Sequence, residues 1–393
     1  MFELSSQDYQ AMTAFLQDLV RTPSLSTQEG EVAARLIEEM HRVGISDVRV
    51  DRMGNVIGRV GPGQGKKLLI NGHMDTVGVS DPAAWSRDPF GAEVENGVLY
   101  GRGAADMKGA LAAMVYTAKV LLDSEMPLNG DLYLVGVVQE EPSEGMAMRI
   151  LVEEEGLKPD WVVLGEPSDL QVRRGQRGRM EMQVTVQGKA CHASAPHLGE
   201  NAIYGAARLI FGLELLAGQL ANDRLLGRAS LAVTHIESTA SSRNAVPDRC
   251  AFYIDRRLTL GETEAKALAE VQGVILREGL RAKVEVTERQ PTSYTGYQTH
   301  QREYYPAWAM EEDHPLVQAM IRAVRKTLGY HPYVGQWAFS TDGAYTMGVA
   351  GIPTVGFGPG EERYAHTAEE QIRLDDVASA VRVYAQLAID LLV

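Results

Sequence analysis

Several histidines and carboxylates stand just after apolar runs, at positions where metal-binding side chains gather in α/β proteins. His73 closely follows the apolar segment Leu68–Asn71, and Asp75 stands two positions later. Because residues i and i+2 of an extended segment face the same way, His73 could offer a ring nitrogen to a metal while Asp75 orients the site. The alternative is an ordinary loop histidine that needs no metal.

Two further segments carry acids that call for a positive partner. Asp106 lies in a glycine-rich turn just before a helical pattern, where a carboxylate either caps the helix or bridges two cations with its two oxygens. Glu140 and Glu141 follow an apolar strand, and adjacent acids repel each other at the edge of a core unless something positive neutralises them. One acid as a metal ligand and the other as a proton-transfer base resolves that cost, whereas a solvated loop needs no metal.

Glu166 and His366 complete the set of residues with this potential. Glu166 stands at the end of another apolar run, and His366 follows the glycine-rich segment of residues 356–360. Each is a weak signal alone, but together the residues occupy strand ends and a turn before a helix. Open α/β sheets collect ligand-binding residues at such positions, so we expect these side chains to converge.

The elements that must position these residues begin with an α/β pattern. Short β-branched runs alternate with helical spacing, which indicates a largely internal sheet. Ser26 and Glu29 have capping-box spacing ahead of a helix that should stop at Gly44. We expect strands at 56–60, 68–71, 132–138 and 161–164 and a helix at 109–122.

After Arg177 the pattern changes to a β-α-β-β-α-β arrangement, which can form one antiparallel sheet covered by two helices. Its expected strands are 180–186, 231–236, 251–254 and 284–286, and its helices are about 201–217 and 262–278. The α/β pattern then resumes, with a helix expected near 314–328, a strand at 354–357 and a last helix from Leu374. The sequence predicts an α/β fold with a mixed, mostly parallel sheet flanked by helices and an inserted α+β, ferredoxin-like unit. The expected ranges are 1–178, 179–290 and 291–393.

The composition is that of a soluble globular protein and excludes several classes of function. Apolar residues make up 45% and charged residues 23% of the 393-residue chain. The net charge of −14 repels a phosphate backbone, so nucleic acid is not an expected partner. Two cysteines cannot form a disulfide framework, which favours a cytoplasmic protein. The N-terminal segment has helical rather than signal-peptide spacing, and no apolar run is long enough for a membrane span.

The order of the motifs resembles the co-catalytic zinc family that includes acetylornithine deacetylase, succinyl-diaminopimelate desuccinylase, aminoacylases and glutamate carboxypeptidases. The resemblance covers essentially the whole chain. It implies that Asp106 bridges two zinc ions, that His73 and Glu166 complete one site, and that Glu141 and His366 complete the other. Asp75 is then the supporting acid and Glu140 the general base. Segments such as RGQRGRMEM and GFGPG look closest to a branch described as selenium-metabolism-linked hydrolases.

The residue types agree with that chemistry. Zinc accepts imidazole and carboxylate ligands, and a hydrolytic site leaves a position open for water. Two metal ions lower the pKa of a shared water and polarise a carbonyl, while a free carboxylate such as Glu140 moves the proton. Cobalt or manganese would suit the same ligands almost as well. We therefore expect hydrolysis of the amide bond of an N-acyl amino acid or a dipeptide.

The inserted unit carries further residues that the resemblance assigns to the substrate. It is expected to act as a lid and to form a homodimer, with His192 supplying an oxyanion donor to the active site of the other subunit. Asn244 and Arg257 match lid positions that contact substrate in relatives. Two other places are expected to recognise a carboxylate on a small-molecule substrate. They are Arg177 at the junction and the Ser340–Gly343 segment, with Thr341 and Gly343, in the returning part of the chain.

Alternative interpretations of the sequence have less support. The segment Gly61–Lys67 lacks the spacing of a phosphate-binding loop and is expected to form a hairpin turn. No GxSxG or HExxH motif is present. A diaminopimelate-type desuccinylase remains the second enzymatic hypothesis, with Arg177 and Arg257 as candidates for a second carboxylate pocket. A catalytically silent metal-binding scaffold is the hypothesis from another class, although all five ligand positions and Glu140 are intact.

Overall fold

The computed structural model describes residues 2–240 and 242–393, and its N-terminal part alternates helices with strands. Helix α1 buries Met12, Phe15, Leu16 and Leu19 on one face, and Ser5 caps its first turn. The helices are α1 Ser6–Arg21, α2 Gly30–Arg42, α3 Gly109–Asp123 and α4 Met146–Glu153. The strands are β1 Asp47–Val50, β2 Val56–Val60, β3 Lys67–His73, β4 Asp131–Val137, β5 Trp161–Leu164 and β6 Val172–Gln176.

The insert has the β-α-β-β-α-β order that the sequence predicts. Its four strands form an antiparallel sheet in the order β8-β9-β7-β10, and its apolar residues form a core of their own. Its elements are β7 Gly178–Gln187, α5 Ala202–Ala217, β8 Ser230–Ser238, β9 Arg249–Leu258, α6 Glu264–Glu278 and β10 Ala282–Val286. The proposed residue ranges of the separate domains remain a prediction.

The returning segment completes the first sheet. Its elements are β11 Trp308–Ala309, α7 Pro315–Leu328, β12 Val334–Trp337, α8 Gly343–Thr346, β13 Thr354–Gly356 and α9 Leu374–Leu392. The sheet order is β1-β2-β4-β3-β5-β13-β6-β11, with β12 paired to β6. The four central strands β4, β3, β5 and β13 are mutually parallel, and the outer pairs are largely antiparallel. The predicted α/β fold with a mixed central sheet flanked by helices is confirmed.

Short strands tie the loops together. One three-stranded sheet joins a hairpin to the segment just before α9, and Tyr304–Tyr305 adds to β7. The remaining short strands are Glu93–Glu95, Val98–Tyr100, Cys191–His192, Asn222–Asp223, Gly227–Arg228, Ala245–Val246, Glu288–Arg289, Gln301–Arg302 and Gln371–Arg373.

Two local predictions are wrong. Gly61–Lys67 is not a hairpin turn, because β4 lies between β2 and β3 in the sheet and the segment crosses the start of β4. There, Asp131 accepts a hydrogen bond from the amide of Gly63 at 2.7 Å. The capping box of Ser26 and Glu29 also does not form, because the Ser26 hydroxyl donates to Asp75 at 2.6 Å and α2 begins at Gly30 without a side-chain cap.

Helix α3 is the central support behind the site. It is rich in alanine, and nearly every residue is buried because α1 and α9 pack against it. Small side chains allow this close approach, and each fully buried larger side chain such as Leu111 contributes about 1.5–3 kcal/mol by leaving water. Among the described residues, no helix is both long and apolar enough to cross a membrane.

Candidate metal centre

The parallel strands deliver the predicted ligands to one edge of the sheet. His73 is the last residue of β3, Glu140 and Glu141 follow β4, and Glu166 follows β5. The neighbouring strand β13 leads into the loop that carries His366. Because the carboxyl ends of parallel strands share one edge, residues from distant parts of the sequence meet there.

Asp106 lies opposite these strand ends, in a turn that precedes α3. Gly103 has φ of 82°, a left-handed conformation that glycine adopts without strain. Ala105 and Asp106 donate their backbone N–H groups to one oxygen of Glu370, each at 3.1 Å. The Asp106–Met107 peptide bond is cis. Asp106 does not cap α3, whose first residue is Gly109, so its carboxylate remains free to face the strand ends.

The side chains form two groups that share Asp106. In the His73 group (His73, Asp106 and Glu166), His73 Nε2 lies 2.9 Å from Asp106 Oδ1 and 3.9 Å from Glu166 Oε1. In the His366 group (Asp106, Glu141 and His366), His366 Nε2 lies 3.3 Å from Asp106 Oδ2 and 3.0 Å from Glu141 Oε2. Each group has three ligand atoms within 4.8 Å of one another. The two oxygens of Asp106 therefore face two different histidines.

The electrostatics of these groups show an excess of buried negative charge. Burial raises the pKa of Glu140 well above its usual range, and the charge of Glu166 raises it further. Burial likewise raises the pKa of Glu141 and of Glu166. Hydrogen bonds to Asp106 and Glu141 raise the pKa of His366 to about 10. Protons on histidines and acids thus partly offset a charge that cations would neutralise directly.

The residues fit two divalent cations. Each group offers imidazole nitrogen and carboxylate oxygen, a donor set that suits zinc, cobalt or manganese. Each supplies three side chains, which leaves positions for water and substrate. Among the described residues, no protein group hydrogen-bonds the buried atom Glu140 Oε1. Glu140 belongs to neither group and lines the cavity in front of both, so its carboxylate is uncommitted.

Asp75 supports the segment of Glu140 more than the ring of His73. Its carboxylate accepts the backbone N–H groups of Glu140 at 3.1 Å and Glu141 at 3.3 Å. The ring of His73 instead contacts the backbone carbonyl of Asp75, with Nδ1 at 2.8 Å. This contact fixes the ring so that Nε2 faces Asp106 and Glu166. Glu29 accepts a hydrogen bond from the preceding backbone amide of the same segment, that of Gln139, at 3.1 Å.

The cavity in front of the two groups holds about 530 Å³. Its lining includes Glu140, His366 and the carboxylates of both groups, and it also includes Arg179, Arg257 and Arg363. Arg179 and Arg257 face each other on β7 and β9, and both contact Asp255. Arg179 also pairs with Glu144 at 3.1 Å. The cavity therefore combines acidic side chains with a wall that carries several arginines.

The predicted substrate residues at the junction are placed differently from one another. Arg257 lines the cavity, but Arg177 does not, because its guanidinium donates to the backbone carbonyls of Leu226 and Arg228. Thr341 is fully buried, and its hydroxyl donates a hydrogen bond to the side chain of Gln176.

Gly343 is buried beside Trp308, and a Cβ there would lie only 2.5 Å from the indole nitrogen. Asp342, which stands between Thr341 and Gly343, accepts from Asn71 and from the amide of Gly145, each at 2.7 Å. The segment thus has structural contacts that connect β3 with the loop after Glu140.

His192 and Asn244 lie together, apart from this cavity. The short strand Cys191–His192 pairs with Ala245–Val246, and both predicted residues are exposed. His192 Nδ1 contacts the hydroxyl of Ser194 at 2.7 Å, and Ser242 contacts the Asn244 side chain. Neither residue lines the cavity.

Two supporting residues were not found from the sequence. Glu370 holds the Asp106 turn, and Lys108 donates to the carbonyls of Leu19 and Thr22 at 2.9 and 2.8 Å. Arg179, which belongs to the same arginine-containing junction segment as Arg177, lines the cavity. Burial lowers the pKa of Lys108 to about 7. The only signal for Lys108 and Glu370 was their nearness in sequence to Asp106 and His366.

Known proteins with similar sequences align with nearly the whole chain. Residues 69–390 match the model of the family described as peptidase family M20/M25/M40. YgeY of Escherichia coli K12, described as uncharacterized, is 40% identical over 383 residues, which cover 97% of this chain and 95% of YgeY. Succinyl-diaminopimelate desuccinylase of Thioalkalivibrio sulfidiphilus is 25% identical over 394 residues, which cover 96% and 98% of the two chains.

Solved structures share the fold. The M20 family metallo-carboxypeptidase Sso-CP2 of Sulfolobus solfataricus has a TM-score of 0.78 and 21% identity, covering 98% of this chain and 99% of its own. The YXEP protein of Bacillus subtilis, described as a dinuclear metal binding peptidase, has a TM-score of 0.72 and 17% identity, covering 99% of each chain.

Proposed function

The chain belongs to peptidase family M20/M25/M40, a family of metal-dependent hydrolases of amide bonds, and on that premise we propose that it is a two-zinc amidohydrolase. Its proposed substrate is an N-acyl amino acid or a dipeptide. The observation that carries the proposal is that the two carboxylate oxygens of Asp106 face different histidines: Oδ1 faces His73 and Oδ2 faces His366. A carboxylate shared in this way suits two cations held side by side.

The proposed reaction adds water to the amide carbonyl and releases a carboxylic acid and an amine. Two bound ions would polarise the carbonyl and make the water more acidic. Glu140 accepts a proton from the attacking water and delivers it to the leaving nitrogen, a role suited to a buried carboxylate with a raised pKa. Asp75 and Glu29 hold the backbone of this segment, so that the Glu140 side chain is aimed before substrate arrives.

Recognition of a substrate carboxylate is proposed for Arg257 together with Arg179. Both guanidinium groups line the cavity and both contact Asp255. Arginine binds carboxylates through two parallel hydrogen bonds, and a substrate carboxylate could take part of the role of Asp255. Arg177 is not proposed for this role, because backbone carbonyls already occupy its guanidinium.

A second copy of the chain is the proposed partner of the insert. Helix α5 exposes Tyr204, Phe211 and Leu215 at helical spacing, and it packs beside β8, the edge strand of the insert sheet. An unpaired edge strand next to an apolar helix face fits a self-complementary interface. In such a dimer, His192 would donate a hydrogen bond to the oxyanion in the partner's cavity, which would account for its exposure here.

Finer assignments are also proposals. The desuccinylase relative supports the second enzymatic hypothesis, in which the Arg179–Arg257 wall would bind the succinyl carboxylate. Assignment to the selenium-linked branch rests on motifs such as GFGPG. A cytoplasmic location fits the two free cysteines. A silent metal-binding scaffold is less favoured, because Glu140 lines the cavity without being a ligand.

The test is Glu140→Gln in protein reconstituted with two equivalents of zinc. Removing the general base should lower kcat about 10²–10⁴-fold on a panel of N-acyl amino acids and dipeptides, while bound zinc measured by elemental analysis stays at two per chain. Glu312→Gln, in an exposed loop, is the control and should retain activity. Equal activity of the Glu140→Gln variant and the control would remove Glu140 from the mechanism. Wild-type protein that binds zinc but turns over no member of the panel would favour the scaffold.

A further inference from the structure

Glu370 is a fully buried acid that touches the metal centre only through the backbone. Its side chain is 0% exposed, and one carboxylate oxygen accepts the N–H groups of both Ala105 and Asp106 at 3.1 Å. The other oxygen receives a hydrogen bond from Arg102 at 2.5 Å. One side chain therefore fixes the peptide plane from which the Asp106 carboxylate extends.

The same residue belongs to the segment that carries His366. Glu370 stands four positions after His366, and its backbone carbonyl accepts the amide of Gly101 at 3.0 Å. From the next residue onward, Gln371–Arg373 pairs with Val98–Tyr100. The loop of His366 is thus attached to the turn of Asp106 by a strand pair and by the Glu370 side chain, which lies between that strand pair and the ligands.

This double attachment matters for one ligand group more than for the other. Only the His366 group combines Asp106 with a residue from the C-terminal loop. His73 and Glu166 stand at the ends of adjacent strands β3 and β5, whose pairing sets their distance. His366 has no such strand beneath it, and its side chain is 52% exposed. Its approach to Asp106 depends on contacts such as those of Glu370.

We propose that Glu370, paired with Arg102, is a positioning residue that sets the spacing between Asp106 and His366 and thereby the affinity for the second metal ion. This inference rests on the proposed two-metal function. Partners that orient metal ligands without touching the metal typically change affinity about 10–100-fold when they are removed. Glu370 acts on a ligand's backbone rather than on its side chain, and it holds two ligand-bearing segments at once.

The experiment titrates metal-free protein with Co²⁺ alone and follows the two binding steps by cobalt absorption and calorimetry. In Glu370→Gln, an amide faces the Arg102 guanidinium and the two N–H donors meet a weaker acceptor. The affinity for the second ion should fall about 10–100-fold, with a smaller change for the first. Asp131→Asn is the matched control, because Asp131 is also buried, accepts the Gly63 amide and lies at the opposite end of β4.

A second variant addresses folding. Glu370→Gln combined with Arg102→Met removes the unpaired buried cation that the single change leaves, so the metal-free fold should regain stability. Its second binding step should still be weakened about tenfold or more, and thermal unfolding of metal-free protein measures the recovery. The proposal is overturned if the second step matches wild type in both variants, or if Asp131→Asn weakens it equally at the same loss of stability. Wild-type protein that binds fewer than two Co²⁺ ions would refute the proposed function itself.

Discussion

Glu303 provides a test of the electrostatics where the insert meets the rest of the chain. Its side chain is 0% exposed, and its Oε1 lies 3.1 Å from Arg289 Nε. Burial raises the pKa of Glu303 from 4.5 to about 7, although the charges of Arg289 and Arg179 oppose the rise. Between about pH 4.5 and about pH 7, the folded protein therefore retains a proton on Glu303 that the unfolded chain has released.

The sign and size of the effect follow from that displacement. Because the pKa is raised on folding, the contribution of Glu303 to stability is fully present below about pH 4.5 and is lost as pH rises through about 7. At about 1.4 kcal/mol for each pH unit of displacement, the loss approaches about 3 kcal/mol at high pH. About 2 kcal/mol of it falls between pH 5.5 and pH 8. Glu303→Gln has no ionisation and should not show this loss.

The assay compares thermal unfolding of wild type and Glu303→Gln at about pH 5.5 and about pH 8. An unfolding entropy of about 2.1 cal/mol/K per residue gives about 0.8 kcal/mol/K for the chain, so about 2 kcal/mol corresponds to about 2 °C in Tm. The variant should therefore gain about 2 °C relative to wild type on going to the higher pH. The control is Glu288→Gln, because Glu288 is 48% exposed and its pKa is lowered by His300 and Arg302. A Tm difference between Glu303→Gln and wild type that is independent of pH would refute the reasoning.

Three further predictions concern the site and the insert. Asp106→Asn should weaken the binding of both zinc ions, because both ligand groups share this carboxylate. Chelator competition should show a loss of affinity greater than the about 10–100-fold that is typical of removing a supporting partner. Weaker binding of only one ion would contradict the bridging role of Asp106. Since the pKa of His366 in metal-free protein is about 10, metal must displace its proton, so affinity should rise up to about tenfold per pH unit between pH 6.5 and 9. His366→Gln should remove much of that slope, and calorimetry in buffers of different ionisation heat checks the proton release. Phe211→Glu on the exposed face of α5 should shift a dimer to monomer in sedimentation, whereas the equally exposed Leu276→Glu on α6 should not.

Local sequence patterns located the strands and their ends well, because a buried parallel strand is a continuous apolar run and its end is marked by the first polar residues. This pattern marked His73, the Glu140–Glu141 pair and Glu166 as candidates, and the family resemblance assigned the ligand roles. The structure brings His73, Glu141 and Glu166 into the two groups. The β-α-β-β-α-β insert also follows from local periodicity. Its strands extend only a few residues beyond the predicted limits, as for Arg249–Leu258.

Contacts between distant segments could not be read from the sequence. Ser26 has capping-box spacing, but its hydroxyl donates a hydrogen bond to Asp75, which lies 49 residues away in the sequence. Gly61–Lys67 looks like a turn, and only the insertion of β4 between its flanking strands excludes a hairpin. Arg177 and Arg179 stand two positions apart in the sequence, yet only Arg179 lines the cavity, because Arg177 precedes β7 and its guanidinium donates to the backbone carbonyls of Leu226 and Arg228. Glu370 was invisible because its role depends on backbone amides 264 and 265 residues away.

Strand β13 lies between β5 and β6 although it begins 190 residues after the end of β5 and 178 residues after the end of β6. The backbone beyond it presses directly on the metal-ligand segment, where a Cβ on Gly358 would lie 2.0 Å from the carbonyl oxygen of Gly165. During synthesis, a ribosome-bound chain that ends before residue 354 has a gap in its sheet and lacks His366 altogether. The hydrolase therefore cannot assemble its metal centre until the last tenth of the polypeptide has emerged, so truncated translation products would carry no amidase activity.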